Sequence, residues 1–230
     1  MTQATDLALA INAFVVGCKQ DRIWDPIKAC CIMAGWSNLT GALYPIKGPA
    51  PTNNGFVSGD YNRKTGLVGD GSSKHLGSGR LDNADPRDSH HMSVYVSSLT
   101  TNRAPDFYIG VGDVPNSGSS LGRFTTPDHY GRSRFEGLDS LTASTGFFGV
   151  NRGSSASYVT RNGGSEVTTS GSSVAASARQ IAVFARNYNP VVGNYSNGRL
   201  AFYSIGESLN LAALDTRVTT LIQAFAAVIP

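Results

Sequence analysis

The end of the chain changes its hydrophobic period. From Arg199 to Ile205 the residues alternate in the manner of a β-strand, and Gly206 interrupts the pattern. The alternation predicts one face with Leu200, Phe202 and Ser204 and another with Ala201, Tyr203 and Ile205. After Gly206 the apolar residues recur at spacings of three and four, namely Leu211, Leu214, Val218, Leu221, Ile222, Phe225 and Ile229. The pattern therefore predicts a closing strand followed by an amphipathic helix.

The first fifty residues carry two more stripes of helical period. The first stripe consists of Leu7, Ile11, Phe14, Val15 and Cys18. The second consists of Ile27, Cys30, Cys31 and Ala34, between a start signal at Asp25-Pro26 and a stop at Gly35. We therefore predict an N-terminal helical segment over residues 1–50, which packs on the rest of the chain or on a partner subunit.

The C-terminal helix needs a partner for its apolar stripe, because most helix stability in water comes from packing. The N-terminal helices are one expected partner, and a neighbouring subunit is the other. The residues that we expect at this contact are Leu214, Val218, Leu221 and Phe225.

Between the two ends the pattern is that of short strands. Candidate strands cover residues 66–68, 91–97, 107–111, 132–135, 147–151, 157–161, 166–169, 180–186 and 199–205. The pair Asn162-Gly163 between two of these strands is a strong hairpin signal. Many short strands joined by glycine and serine turns predict a mainly β fold. Residues 51–230 are thus expected to form one antiparallel β-sandwich that closes with the C-terminal helix.

Charge and composition narrow the classes of function. The net charge is +3 and only 15% of the residues are charged. The arginines are scattered singly, so we expect no nucleic-acid partner. No apolar run approaches the roughly 20 residues of a membrane span, so we expect none. The three cysteines, Cys18, Cys30 and Cys31, lie in the predicted helices and fit neither a disulfide framework nor a zinc site. Such thiols are typical of a protein made in a reducing cytoplasm.

Four segments together resemble the concanavalin A-like, laminin-G-like jelly roll of tailed-phage virion proteins. They are Ile11–Gly35, Pro51–Leu76, His90–Ser98 and Arg199–Ala224. The resemblance implies a jelly-roll β-sandwich and a virion protein that is assembled in the cytoplasm of the host bacterium. It also implies other virion proteins as partners and a homo-oligomer, which we expect to be a trimer. It implies no activity, because a fold does not determine a function.

The residues needed for hydrolysis are missing from the expected places. Polysaccharide hydrolases that resemble this sandwich carry Glu-x-Asp-x-Glu on one strand, since the reaction needs two carboxylates close together on one face. The three glutamates, Glu136, Glu166 and Glu207, have no acidic residue two or four positions further on. The segment Gly118–Gly122 matches a nucleophile-elbow pattern, but that pattern requires a strand before it and a helix after it. We therefore expect a protein that is not an enzyme.

Three clusters in predicted loops could bind a glycan. Exposed aromatic rings stack on sugars, and Asn or Arg side chains bond to the hydroxyls. The clusters are Tyr61 with Asn62 and Arg63, Tyr130 with Arg132, and Tyr188 with Asn189 and Tyr195. The same residue types are also ordinary in loops, so the alternative is a structural role in turns.

Clustered loop carboxylates make calcium a second possibility. Asp82, Asp85 and Asp88 could supply oxygen ligands to Ca²⁺, although turn chemistry explains the same residues. No other cofactor is expected. His90 and His91 are adjacent, so on a strand they would point to opposite faces and could not share one metal ion.

Two functions remain. One is a tail-fibre or receptor-binding module that contacts a host surface glycan, which the tyrosine- and asparagine-rich loops favour. The other is a capsid decoration (cement) protein or another virion accessory that stabilises the particle. The lack of a long N-terminal shaft in this sequence favours the second role.

Overall fold

The structure is a computed structural model that describes residues 3–101, 105–113, 118–123, 128–189 and 191–230. Two β-sheets face each other, and two long helices form a third layer outside one of them. Strands β1 to β18 and helices α1 to α3 are numbered in chain order.

The first sheet has a run of seven strands. In spatial order its strands are β14 (Ser165–Ser170), β13 (Ser157–Asn162), β12 (Gly146–Arg152), β7 (His90–Ser98), β18 (Arg199–Gly206), β1 (Ile27–Ile32) and β2 (Pro45–Lys47). Two short strands, β5 (Gly66–Val68) and β4 (Tyr61–Asn62), extend it next to β18.

The second sheet has its own run of seven strands. In spatial order they are β11 (Asp139–Thr142), β10 (Asp128–Arg132), β9 (Ser119–Arg123), β8 (Asp106–Gly112), β15 (Gln180–Val183), β6 (His75–Leu81) and β3 (Thr52–Asn54). A short hairpin of β16 (Arg186–Tyr188) and β17 (Val191–Gly193) attaches to β8. The pairing of β16 with β8 is parallel, whereas the other strand pairs are antiparallel.

The main core lies between the two sheets. Alternate residues of β7, Met92, Val94 and Val96, point into it and are fully buried. From the other sheet Ile109, Val111 and Leu121 meet them. Each such side chain stabilises the fold by about 1.5–3 kcal/mol before the loss of conformational entropy. This core fixes which residues of each sheet must face outward.

The outer face of the first sheet is covered by α1 (Gln3–Gln20) and α3 (Leu211–Val228), which contact each other. The stripe predicted at a contact is buried here, with Leu214, Val218 and Phe225 fully buried and Leu221 only 2% exposed. The rings of Phe14 and Phe202 meet edge to face, with centroids 5.9 Å apart. The four residues are therefore covered within the chain and do not form a subunit surface.

Helix α3 begins where the sequence predicts. The Asn210 side chain caps it by accepting a hydrogen bond from the Ala213 amide at 3.0 Å. Judged by length and hydropathy alone, Leu211–Val228 could cross a membrane. Among the described residues it is the single helix that meets these two criteria. A third of that helix is buried inside the chain.

The second N-terminal helix predicted from the sequence is wrong. Residues Ile27–Ile32 form strand β1, which lies between β18 and β2 in the first sheet. A strand that is buried on both faces shows no alternation, so its apolar spacing can imitate that of a helix. Between residues 3 and 50 the helical structure consists of α1 and the short α2 (Leu39–Ala42). Cys30 and Cys31 consequently lie on a strand, on opposite faces.

Strand β18 also departs from strict alternation. Its register with β7 shifts on both sides of Leu200, which marks a β-bulge. Leu200 consequently faces the core between the sheets together with Tyr203 and Ile205, whereas Phe202 faces the helices. The predicted grouping of Leu200 with Phe202 is therefore wrong.

The predicted fold class is confirmed as a mainly β, antiparallel β-sandwich with a C-terminal helix. The predicted hairpin is present too, with Gly163 and Gly164 as its two-residue turn at φ 55° and 86°. The strand predicted at 132–135 lies earlier, at Asp128–Arg132.

Candidate functional site

Two of the three predicted glycan clusters meet on the outer face of the second sheet. Residues that pair directly across neighbouring strands share a face. One such row is Thr52, Gly77, Ala182, Gly110, Ser120 and Arg132. The neighbouring residues Ile109, Val111 and Leu121 point into the core, which places this row outside. Tyr130, two residues before Arg132, lies on the same face.

Small residues in the middle of this row make room for a large side chain. A Cβ atom added to Gly110 would lie 3.1 Å from Cγ of Arg186, so the arginine lies directly over this glycine. The Arg186 guanidinium carbon lies 4.9 Å from the centre of the Tyr188 ring and 5.6 Å from that of Phe107. Such cation–π contacts are worth about 0.5–2 kcal/mol, more when they are desolvated. Arg186 therefore fixes the ring of Tyr188 against the sheet.

A second guanidinium lies near Arg186. Nε of Arg132 donates to Oγ of Ser120 at 3.0 Å, and the Arg132 side chain is only 1% exposed. Burial and then the charge of Arg186 lower the pKa of Arg132 to about 9. The two guanidiniums are therefore close enough for their charges to affect each other. We name this surface the arginine–tyrosine face, and it consists of Phe107, Tyr130, Arg132, Arg186 and Tyr188.

The remaining residues of the third predicted cluster border this face. Asn189 is exposed and has a positive φ of 44° at the tip of the β16–β17 hairpin. The Tyr195 hydroxyl donates to the Val192 carbonyl at 2.9 Å, and its ring lies 5.8 Å from that of His75. Tyr195 thus supports the hairpin that carries Tyr188.

The first predicted cluster lies outside the arginine–tyrosine face, and its side chains form hydrogen bonds within the chain. Tyr61 donates to the Trp36 carbonyl at 2.7 Å, and burial raises its pKa to about 12. Asn62 accepts hydrogen bonds from the amides of the two turn residues that follow Arg63. Nη1 of Arg63 donates to Oε1 of Gln3 at 2.6 Å. The structure therefore gives these three side chains partners within the turn, the neighbouring loop and α1.

Two of the three aspartates suggested for calcium are held by protein partners. Asp82 is fully buried and accepts hydrogen bonds from the Ser177 amide at 2.8 Å and from Arg134 at 3.4 Å. Asp85 accepts two from Arg80, at 3.0 and 2.5 Å. In the described part of the chain, no group of three or more His, Cys, Asp or Glu residues could hold a metal ion. The donor set for the calcium hypothesis is therefore not assembled here.

The adjacent histidines point to opposite faces of the first sheet. Nδ1 of His90 is 3.1 Å from the Ser133 hydroxyl, on the side of the second sheet. His91 lies on the other side, where Nδ1 donates to the Glu207 carbonyl and Nε2 accepts from Ser204 at 3.0 Å. Burial lowers the pKa of His91 to about 4. Each imidazole therefore has a structural role in its neutral form.

The nucleophile-elbow motif does not form an elbow. Its central residue, Ser120, lies within strand β9 and accepts the hydrogen bond from Arg132. A strained turn between a strand and a helix, which the chemistry requires, is replaced by a regular strand.

Sequence reasoning missed Arg186 and Phe107. The pattern predicts one strand over residues 180–186, but the structure breaks it at Phe184, whose φ of 66° is rare for a phenylalanine. That break ends β15, and the chain returns along β8 as the parallel strand β16, which places Arg186 beside Gly110. No local signal in the sequence marks a positive φ at a bulky residue.

No protein-family model matches the sequence, and no curated protein matches it. Among solved structures the chain is similar to the botulinum neurotoxin serotype D binding domain, with 10% identity and a TM-score of 0.54, over 85% of this chain and 51% of that one. It is also similar to a mutant Trypanosoma rangeli sialidase displaying trans-sialidase activity, with 10% identity and a TM-score of 0.53, over 92% of this chain and 39% of that one.

A further similarity is to the Ruminococcus gnavus IT-sialidase CBM40 bound to alpha2,3 sialyllactose. The identity is 12% and the TM-score 0.48, over 66% of this chain and 95% of that one. The chain thus spans about half or less of the toxin domain and the trypanosomal enzyme. At such low identity the two similarities with TM-scores above 0.5 show a shared fold and do not identify a ligand.

Proposed function

We propose that the protein is a non-enzymatic glycan-binding module and that the arginine–tyrosine face is its binding surface. The observation that carries this proposal is the Tyr188 ring, which is partly exposed and held from one side by the Arg186 guanidinium. An aromatic ring fixed in advance loses little entropy when a sugar stacks on it. Tyr130 supplies a second partly exposed ring on the same face.

The exposed groups of this face indicate how it could hold a glycan. Arg186 is only 5% exposed and supports the Tyr188 ring from one side, which leaves the other side of the ring for a sugar. Exposed Asn189 at the hairpin tip can bond to sugar hydroxyls. We therefore propose a surface polysaccharide as the ligand.

The biological setting that we propose is a tailed-phage virion, assembled in the cytoplasm of the host bacterium. There the module would act at the tail periphery, as a tail-fibre or receptor-binding protein, in contact with other virion proteins. The support for this setting is the resemblance of the four sequence segments to virion jelly rolls.

Alanine substitution of the two tyrosines tests the binding surface. Tyr188→Ala and Tyr130→Ala should each weaken binding to purified host polysaccharide at least about tenfold, which corresponds to about 1.4 kcal/mol. The matched control is Tyr44→Ala, since Tyr44 is 66% exposed and directly precedes strand β2 of the first sheet. Tyr61→Phe, which removes only the bond to Trp36, should also leave affinity unchanged.

Binding that is lost in Tyr61→Phe but kept in Tyr188→Ala would move the site to the first cluster. A wild-type chain that binds expanded capsids but no host glycan would replace this proposal with the cement role. Antibody labelling of intact particles distinguishes the two positions directly.

A further inference from the structure

Strand β14 is an edge of the first sheet with one side unpaired. It pairs with β13 through a two-residue turn, from Asn162 opposite Ser165 to Ser157 opposite Ser170. In the described part of the chain no strand lies on its other side. Five of its six residues are exposed. Its free backbone groups can therefore accept another strand.

The hairpin geometry identifies which backbone groups point outward. The pair that flanks a two-residue turn is hydrogen-bonded, so the amide and carbonyl groups of Ser165, Val167 and Thr169 point to β13. The Gly171 amide continues this alternation by donating to the Ala156 carbonyl at 2.7 Å. The outward groups consequently belong to Glu166, Thr168 and Ser170.

This edge lacks the features with which proteins usually protect edges. The opposite edge of the same sheet, β2, is three residues long and contains Pro45 and Lys47. Strand β14 has no proline, no lysine and no bulge in its register. Its β-branched residues Val167, Thr168 and Thr169 favour an extended strand.

We propose that β14 pairs antiparallel with β14 of a second copy of this chain, about a two-fold axis at Thr168. In this register Thr168 faces Thr168 of the second copy, and Glu166 faces Ser170. Every outward amide and carbonyl of the strand then has a partner, and no like charges meet. Glu166 is also neutralised within its own chain by Arg161, at 3.1 Å.

The surroundings of the edge supply apolar surface for the same contact. Val167 is 40% exposed and points towards the second sheet, because it pairs with Thr160, which donates to Asp139 there. A cavity of about 380 Å³ between β11 and the hairpin is lined by Leu141 and Val167. In the proposed register Thr169 of the second copy lies opposite Val167 and reduces its exposure.

Pairing at β14 is independent of glycan binding and changes the expected symmetry. Edge pairing about a two-fold axis makes a dimer, in place of the trimer expected from the sequence. A dimer carries two arginine–tyrosine faces, so its avidity for a polymeric glycan exceeds the affinity of one face.

Sedimentation analysis of the full chain tests the pairing. The wild type should be dimeric at micromolar concentration. Thr168→Lys places two ammonium groups at the axis and should weaken the dimer at least tenfold. The matched control is Thr216→Lys, at an exposed position of α3, which should stay dimeric. Circular dichroism verifies that both variants are folded.

Disulfide trapping tests the register. In the Thr168→Cys variant the two cysteines of the dimer face each other across the axis within disulfide distance. This variant should therefore cross-link under mild oxidation. Ser170→Cys is exposed on the same strand but faces Glu166, so it should cross-link much less. A monomeric wild type, a dimer that survives Thr168→Lys, or equal cross-linking of the two cysteine variants would each overturn the proposal.

Discussion

The two sheets of this sandwich have outer faces of opposite character. The outer face of the first sheet is covered by α1 and α3, and its contact residues, such as Phe202 and Leu214, are apolar and buried. The outer face of the second sheet carries glycines, Ser120, two arginines and tyrosines. One outer face thus contributes to the stability of the fold, and the other carries the side chains of the proposed binding surface.

The difference shows how one fold separates two tasks. Burial of the α3 stripe needs only apolar side chains at helical spacing, which many sequences satisfy. The arginine–tyrosine face instead depends on a glycine that leaves space for Arg186 and on a strand break that turns Arg186 outward. Substitutions on the first face should therefore change folding, whereas those on the second should change binding.

The largest expected effect is on the covered face. Leu214→Asp removes a fully buried side chain and buries a charge in its place. Cavity formation alone costs about 2–5 kcal/mol, and an unpaired charge adds to it, so most of a typical stability of about 5–15 kcal/mol is lost. Urea denaturation and circular dichroism should show a largely unfolded chain.

The control for this substitution lies on the same helix. Gln223→Asp introduces the same side chain at an exposed position and should change stability by less than about 0.5 kcal/mol. If Leu214→Asp folds and remains as stable as Gln223→Asp, the helical layer does not stabilise the sandwich.

The two ends of the chain show what the sequence can predict. Helix α3 is predictable because its stripe is broad, its cap is an asparagine and it follows a glycine. Strand β1 is not, because a strand buried on both faces has the apolar spacing of a short helix. Its burial depends on pairing with β18, which is far away in the sequence. Long-range pairing is the information that local patterns lack.

The candidate site likewise depends on long-range pairing. Tyr130, Arg132 and Tyr188 are recognisable as glycan candidates by their residue types alone. Their convergence on one face is not predictable from residue type, because it depends on the register of β8, β9 and β10. Tyr61 is the same type of residue, but its hydroxyl donates a hydrogen bond to the Trp36 carbonyl within the fold.

The next effect concerns pH and the buried His91. Burial lowers its pKa to about 4, against about 6.5 in the unfolded chain. Between pH 4 and pH 6.5 the unfolded chain binds more protons at this residue than the folded chain does. The stability that neutral His91 contributes is therefore fully present above pH 6.5 and is lost as the pH falls towards 4. The loss is about 3 kcal/mol for this residue.

A difference measurement isolates this histidine. Burial raises the pKa of Asp106 to about 6, which acts in the opposite direction, since the folded state then binds more protons. Comparing urea denaturation of the wild type with that of His91→Gln cancels this contribution. The stability of the variant should fall less steeply between pH 6.5 and 4. Equal slopes would mean that His91 stays neutral in both states or titrates alike in both.

The smallest change in stability is expected on the arginine–tyrosine face. In Gly110→Ala the added Cβ would lie 3.1 Å from Cγ of Arg186 and 3.2 Å from Cβ of Ser120, so both side chains must move by a few tenths of an ångström. We expect a loss of about 1 kcal/mol or less in stability. Glycan affinity should fall about threefold, because Arg186 shifts away from the Tyr188 ring.

Gly59→Ala, where an added Cβ meets nothing within 4 Å, is the control and should change neither property. If Gly110→Ala binds glycan as the wild type does, the position of Arg186 does not matter for recognition, and the second sheet owes its binding surface to the tyrosines alone.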